Sequence, residues 1–120
     1  MFEAQLLISK TTVGTKVYSP WFPRQSDNAT FQVEVVQRSD NATLKVEAVH
    51  KNSEDTGNGT EVTPAIVAAA TAVDIYSAEI TALKEMVRFK FTVTGTTGEW
   101  VLFRMLPTSW YAAVNAGNTS

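Results

Sequence analysis

The chain has 120 residues, a mass of 13.1 kDa, a net charge of −2 and a pI near 5.3. That is enough for one hydrophobic core but not for a core plus a separate catalytic domain, so a single domain over 1–120 is expected. Hydrophobic residues at 44% and charged residues at 18% exclude a disordered chain, and the acidic balance argues against sequence-specific nucleic-acid binding.

With no Cys and one His, there is no disulfide framework, thiolate nucleophile, cysteine zinc site or His-rich metal cluster, and no cofactor or metal is expected. No apolar run approaches the ~20 residues of a membrane span. The opening MFEAQLLISK carries neither a basic start nor a cleavage site, so neither membrane insertion nor export is expected. Val, Ile and Thr number 34 against six Leu, and 10% of the chain is aromatic. β-Branched and aromatic side chains suit a pleated, half-buried surface, which favours strands.

Phe2 to Ile8 and Thr15 to Ser19 read as short strands separated by Thr12-Val13-Gly14. Pro20 and Pro23 stiffen a loop over 20–28, and the overlapping stretch 18–24 displays Tyr18, Trp21, Phe22 and Arg24. An internal repeat follows. Residues 26–36, SDNATFQVEVV, and 39–49, SDNATLKVEAV, agree at eight of eleven positions. Each copy begins with a turn triplet and continues with alternating apolar residues, Phe31, Val33 and Val35 in the first and Leu44, Val46 and Ala48 in the second.

The repeat predicts a β-hairpin reversed at Ser39-Asp40-Asn41, with Val35 opposite Leu44, Val33 opposite Val46, and Glu34 opposite Lys45 on the outer face. His50 closes the second arm on the inward parity and is expected at the rim of the sheet. Residues 52–60, NSEDTGNGT, read as a polar, mobile loop without an apolar anchor. The acids Glu54, Asp55 and Glu61 lack the alternating order of a calcium loop, and Glu34 and Glu47 form no supported acid/base pair.

Glu61 to Val67 restarts a strand that Pro64 confines to an edge or a bulge. Over 65–85 a stripe of Ile66, Ala70, Val73, Ile80, Leu83 and Val87 competes with strand-like alternation at Val73–Tyr76. Strand and irregular connection are expected there, with one short helix as the alternative. Val87 to Thr94 alternates and pairs, as a second hairpin through Gly95–Gly98, with Glu99 to Leu106. Trp100 to Leu106 is apolar on both faces, hence central in a sandwich or covered by a partner.

The sum is an all-β antiparallel sandwich or jelly roll of seven to eight strands. Four N-x-[ST] sites at Asn28, Asn41, Asn58 and Asn118 are explained by turn chemistry in a chain with 24 Ser and Thr. No serine sits in a nucleophile turn, so an enzyme is not expected.

Aromatic residues supply the candidate contacts: Tyr18, Trp21, Phe22 and Arg24 in one loop, Trp100 in the apolar strand, and Trp110 and Tyr111 near the end. The repeated SDNAT segment and VRFKFTVTGTTGEWVLFRMLP, in a cysteine-free, Thr/Asn-rich chain, resemble in style the small β-sandwich and jelly-roll virion proteins of phages and viruses, of capsid-decorating or coat type. That resemblance implies a structural protein that assembles as a homo-oligomer or on other capsid proteins, in the virion or during cytoplasmic assembly. Residues 1–10 and 112–120 would serve as arms ordered on neighbours. A carbohydrate-binding module stacking sugars on Tyr18, Trp21, Trp110 and Tyr111 is the alternative.

Overall fold

The computed structural model describes residues 5–9, 15–39, 41–95 and 99–112, with side chains from Lys16 onward. Expectations for Thr12–Gly14, Asp40, the centre of the 95–98 turn, Asn118, residues 1–4 and 10 of the first arm and 113–120 of the second fall outside these residues, while residues 5–9 of the first arm form a strand of the sheet. Among the described residues there are eleven strands and no helix: β1 (Gln5–Ser9), β2 (Thr15–Tyr18), β3 (Phe22–Pro23), β4 (Asn28–Arg38), β5 (Thr43–Lys51), β6 (Thr60–Glu61), β7 (Val67–Ala70), β8 (Ile75–Ile80), β9 (Met86–Thr94), β10 (Trp100–Met105) and β11 (Ser109–Tyr111).

One sheet runs β1-β10-β4-β8, with β11 also on β4; the other runs β2-β9-β5, with β6 and β7 on β5 and β3 on β9. All pairings are antiparallel. From β1 to β10 the long strands change sheet at nearly every connection, which is the order of an eight-stranded jelly roll with short accessory strands.

This topology corrects both predicted hairpins. β4 and β5 carry the repeat but lie in opposite sheets, as do β9 and β10. The inward parity is as read: Phe31, Val33, Val35, Leu44, Val46 and Ala48 are all fully buried, and they meet across the sandwich rather than along a ladder. A hairpin would have needed a further layer to cover its apolar face. Sending one arm to each sheet makes the two arms cover one another.

The expected Glu34–Lys45 pairing is therefore absent. Glu34 pairs with Arg104 of β10, and Glu47 lies opposite Lys90 of β9. At the β4–β5 crossing, Ala42 is buried and Arg38 donates to the carbonyls of Ser39 and Ala42 at 3.2 and 2.9 Å. The β9–β10 crossing lies beside it. Trp100 N–H donates to Ser39 Oγ at 2.8 Å, and a Cβ on Gly95, at φ +141°, would fall 2.9 Å from the Asn41 carbonyl oxygen. The turn-forming residues of the repeat thus join two crossings rather than close one hairpin.

Other expectations divide in the same way. The alternative helix over 65–85 is absent: β7 and β8 occupy that stretch, and Val73, which a helical stripe would bury, is 61% exposed. The strand expected over 61–67 is broken between β6 and β7, where the Thr63–Pro64 peptide is cis. β10 is the central strand its composition allowed, flanked by β1 and β4, with Val101, Phe103 and Met105 buried.

Asn28 opens β4 rather than a turn. It is 7% exposed, and its Oδ1 accepts the Ala82 N–H at 3.2 Å, so the folded chain hides this N-x-T site. In the core, Phe31 meets Phe89 edge-on at 5.1 Å and Phe91 meets Phe103 at 4.9 Å.

Candidate functional site

The outer face of the β2-β9-β5-β6 sheet follows from the ladder register, because directly opposed residues share a face. Phe89, Phe91 and Val93 point inward, so Arg88, Lys90 and Thr92 point outward. Beside them stand Lys16 and Tyr18 of β2, Lys45, Glu47, Val49 and Lys51 of β5, and Glu61 of β6. This face therefore holds five cations and two carboxylates. At +3, it leaves −5 for the remainder of a chain whose net charge is −2.

Lys90 and Glu61 are joined at 2.9 Å, which raises the lysine pKa and lowers that of the carboxylate, in each case mainly through their shared hydrogen bond. Both Lys90 and Lys45 also lie near Glu47, at 3.9 and 3.8 Å.

On this face the aromatic loop and the basic strands interleave. The Arg88 guanidinium lies 4.2 Å from the Tyr18 ring centre and 4.5 Å from that of Trp21, and Lys51 Nζ lies 4.7 Å from Trp21. Tyr18, Arg88, Trp21 and Lys51 form an alternating series of rings and cations, each contact worth about 0.5–2 kcal/mol according to its exposure. Arg88 also donates to the Asn58 carbonyl at 3.1 Å, while its Nε is buried without a hydrogen-bond partner, as befits a guanidinium held by ring faces. Tyr18 remains 45% exposed, so the series opens to solvent at that end.

The 52–60 loop, expected to lack an apolar anchor, has one. A Cβ on Gly59, at φ +82°, would come within 2.8 Å of Trp21 Cη2 and of the His50 carbonyl, and 2.9 Å from Val49 Cγ1. The glycine lets the loop close over Trp21, which explains why outward-pointing Val49 is nonetheless buried. Gly59→Ala is expected to cost about 1–3 kcal/mol through this strain. Thermal unfolding would show the loss, together with a red shift in tryptophan emission as Trp21 is uncovered; an unchanged Tm would disprove the crowding.

The remaining candidate residues do not join this series. Phe22 turns into the core against Phe89 and Trp110, at 5.4 and 6.4 Å. Trp110 is half-buried, edge-on to Phe31 at 5.7 Å. Arg24 donates to the Leu83 carbonyl, and its N–H to that of Glu85, pinning the loop to the 81–85 connection. Trp100 is half-buried at the crossing, on the far sheet.

Tyr111 donates its hydroxyl to Glu79, and its pKa is held up to about 12 chiefly because ionisation would break this hydrogen bond, and further because it would set two anions together. Absorbance titration at 295 nm, read as the difference from Tyr111→Phe, should show this high value. Glu79→Gln should return it toward the ordinary ~10.

Sequence reasoning missed Arg88 and Lys51 as partners of Trp21. Their only signal was the outward parity of β9 and the end of β5, where cations look like an ordinary solvated face.

His50 sits at the rim, as expected. It lines a cavity of about 260 Å³ with Lys51, Asp55, Gly57, Asn58, Gly59, Thr60 and Lys84. Burial, and then the Lys84 charge, lowers its pKa, so the imidazole is neutral at pH 7. Among the described residues no group of three or more His, Cys, Asp or Glu could hold a metal ion, and no helix is long and apolar enough to cross a membrane. Comparison with protein-family models, curated proteins and solved structures returned no match.

Proposed function

We propose that this protein is a non-enzymatic assembly module. It docks through the basic, aromatic face of the β2-β9-β5 sheet onto an acidic protein surface, that of a second copy or of a shell protein, as a virion component would. The observation that carries the reading is the separation of charge, +3 on one sheet face against −5 for the rest of the chain. A face of one sign on a body of the other favours head-to-tail contact between copies, the geometry that builds rings and shells.

The exposed end of the ring–cation series adds Tyr18 with Arg88 behind it, residue types enriched in the centres of protein interfaces. The jelly-roll order supports a capsid role only by analogy, since this architecture also serves lectins and cupins. Sugar stacking on Tyr18 and Trp21 is less favoured because cations already lie against those rings, and Trp110 is taken up by the core.

Light scattering after size-exclusion chromatography tests the proposal. Oligomers, or complexes with a co-purified shell, are expected at about 0.05 M salt and should dissociate toward monomer near 0.5 M as screening shortens the electrostatic reach. A monomer at every concentration and salt that binds no particle would overturn it.

A further inference from the structure

The cavity beside His50 lies outside the docking series except for Lys51, and its walls are fixed from both sides. Ser53 donates through N and Oγ to Glu85 at 3.0 and 3.1 Å, tying the 52–60 loop to the 81–85 connection. Asp55 Oδ2 accepts the Asn52 N–H at 3.0 Å. The Lys84 N–H donates to His50 Nδ1 at 3.2 Å. That last bond sets the tautomer: Nδ1 is the acceptor, so the neutral ring carries its proton on Nε2 as a donor.

Lys84 Nζ has no ion pair or hydrogen bond among the described residues, and Lys51 Nζ meets only the Gly57 carbonyl, at 3.3 Å, and the Trp21 ring. Two lysines and a neutral histidine are therefore among the residues that line about 260 Å³ of space. Asp55 is the one acid in the lining, and Glu85, which follows Lys84 in the chain, is turned to Ser53.

We infer that this cavity is a binding site for a small polyhydroxylated anion, a sugar acid or sugar phosphate. Its acidic head would lie between Lys84 and Lys51, and its hydroxyls against Asp55 and Thr60. Charge-assisted bonds from two lysines suit a carboxylate or phosphate. The acceptor oxygens of Asp55 and Thr60 suit hydroxyl donors, which a bare inorganic anion does not offer. The lining presents no large apolar side chain to favour an apolar ligand. The inference shares Lys51 with the docking proposal, but Lys84 stands apart from the ring–cation series, so a change at Lys84 tests it separately.

Isothermal titration calorimetry of the full chain with glucuronate and with glucose 6-phosphate, against glucose and inorganic phosphate, tests it. One or both acidic sugars should bind at least about ten-fold more tightly than either control. Which one binds identifies the head group. Lys84→Gln should weaken that binding about ten-fold while leaving Tm and oligomeric state unchanged. The inference falls if neither acidic sugar binds, if inorganic phosphate or glucose binds as well as they do, or if Lys84→Gln binds like the parent.

Discussion

Phe89→Ala is expected to remove about 3–5 kcal/mol of stability, a large part of the 5–15 kcal/mol typical of a folded domain. Phe89 is fully buried at the middle of β9, and its ring meets Phe22, Phe31 and Phe91 at 5.4, 5.1 and 6.2 Å. It thereby links the aromatic loop, the β4 layer and its own sheet.

Truncation leaves a cavity whose walls belong to two sheets. Strands held by their ladders cannot collapse into it, so the transfer loss and the cavity loss add. Urea denaturation should show a much lower midpoint with little change in slope. Val73→Ala, at a side chain 61% exposed, is the control and should stay within about 0.5 kcal/mol of the parent. A Phe89→Ala variant as stable as this control would contradict the packing.

Arg88→Glu carries the second large effect. It places a carboxylate against the electron-rich faces of Tyr18 and Trp21, removes the bond to the Asn58 carbonyl, and lowers the face from +3 to +1. Two ring–cation contacts are lost, at about 0.5–2 kcal/mol each, and the new charge is repelled where the old one was held. The monomer should melt earlier.

Association should weaken about ten-fold or more, and its salt dependence should flatten, because a face near neutrality no longer steers its partner. Arg88→Lys keeps the charge without the planar stack and should fall between parent and Arg88→Glu. Association of Arg88→Glu equal to the parent, at matched salt and with the fold intact, would remove this face from the interface.

The parity of β4, β5 and β9 was legible from the residues alone, whereas in the alternating Val73–Tyr76 stretch Val73 and Ile75 are exposed. Phe31, Val33, Val35, Leu44, Val46, Phe89, Phe91 and Val93 were assigned inward and are buried, because alternation has a period of two and water excludes only one of the two sets. The apolar Trp100–Leu106 segment allowed either a central strand or a strand covered by a partner, and β10 lies centrally between β1 and β4. Strand partners were not legible. Val35 and Leu44 can be buried equally well as ladder neighbours or as opposing members of two layers, and both arrangements satisfy the same pattern.

The candidate contacts show the same division. Tyr18 and Trp21 stood out by type, whereas Arg88 and Lys51 became their partners only through the placement of β9 and β5 beneath the loop. Likewise, nothing in the polar 52–60 segment marks an apolar anchor, whereas the fold sets Gly59 against Trp21.

Composition and alternation thus determined that this chain is all-β, and which side of β4, β5 and β9 meets the core, since these depend on local geometry and on apolar surface leaving water. The tertiary structure decided which strands share a sheet, that the repeated arms oppose one another, and that Trp21 lies between two cations. Those outcomes depend on contacts between segments far apart in the chain, where the free energy of covering one layer with another outweighs any preference written in neighbouring residues.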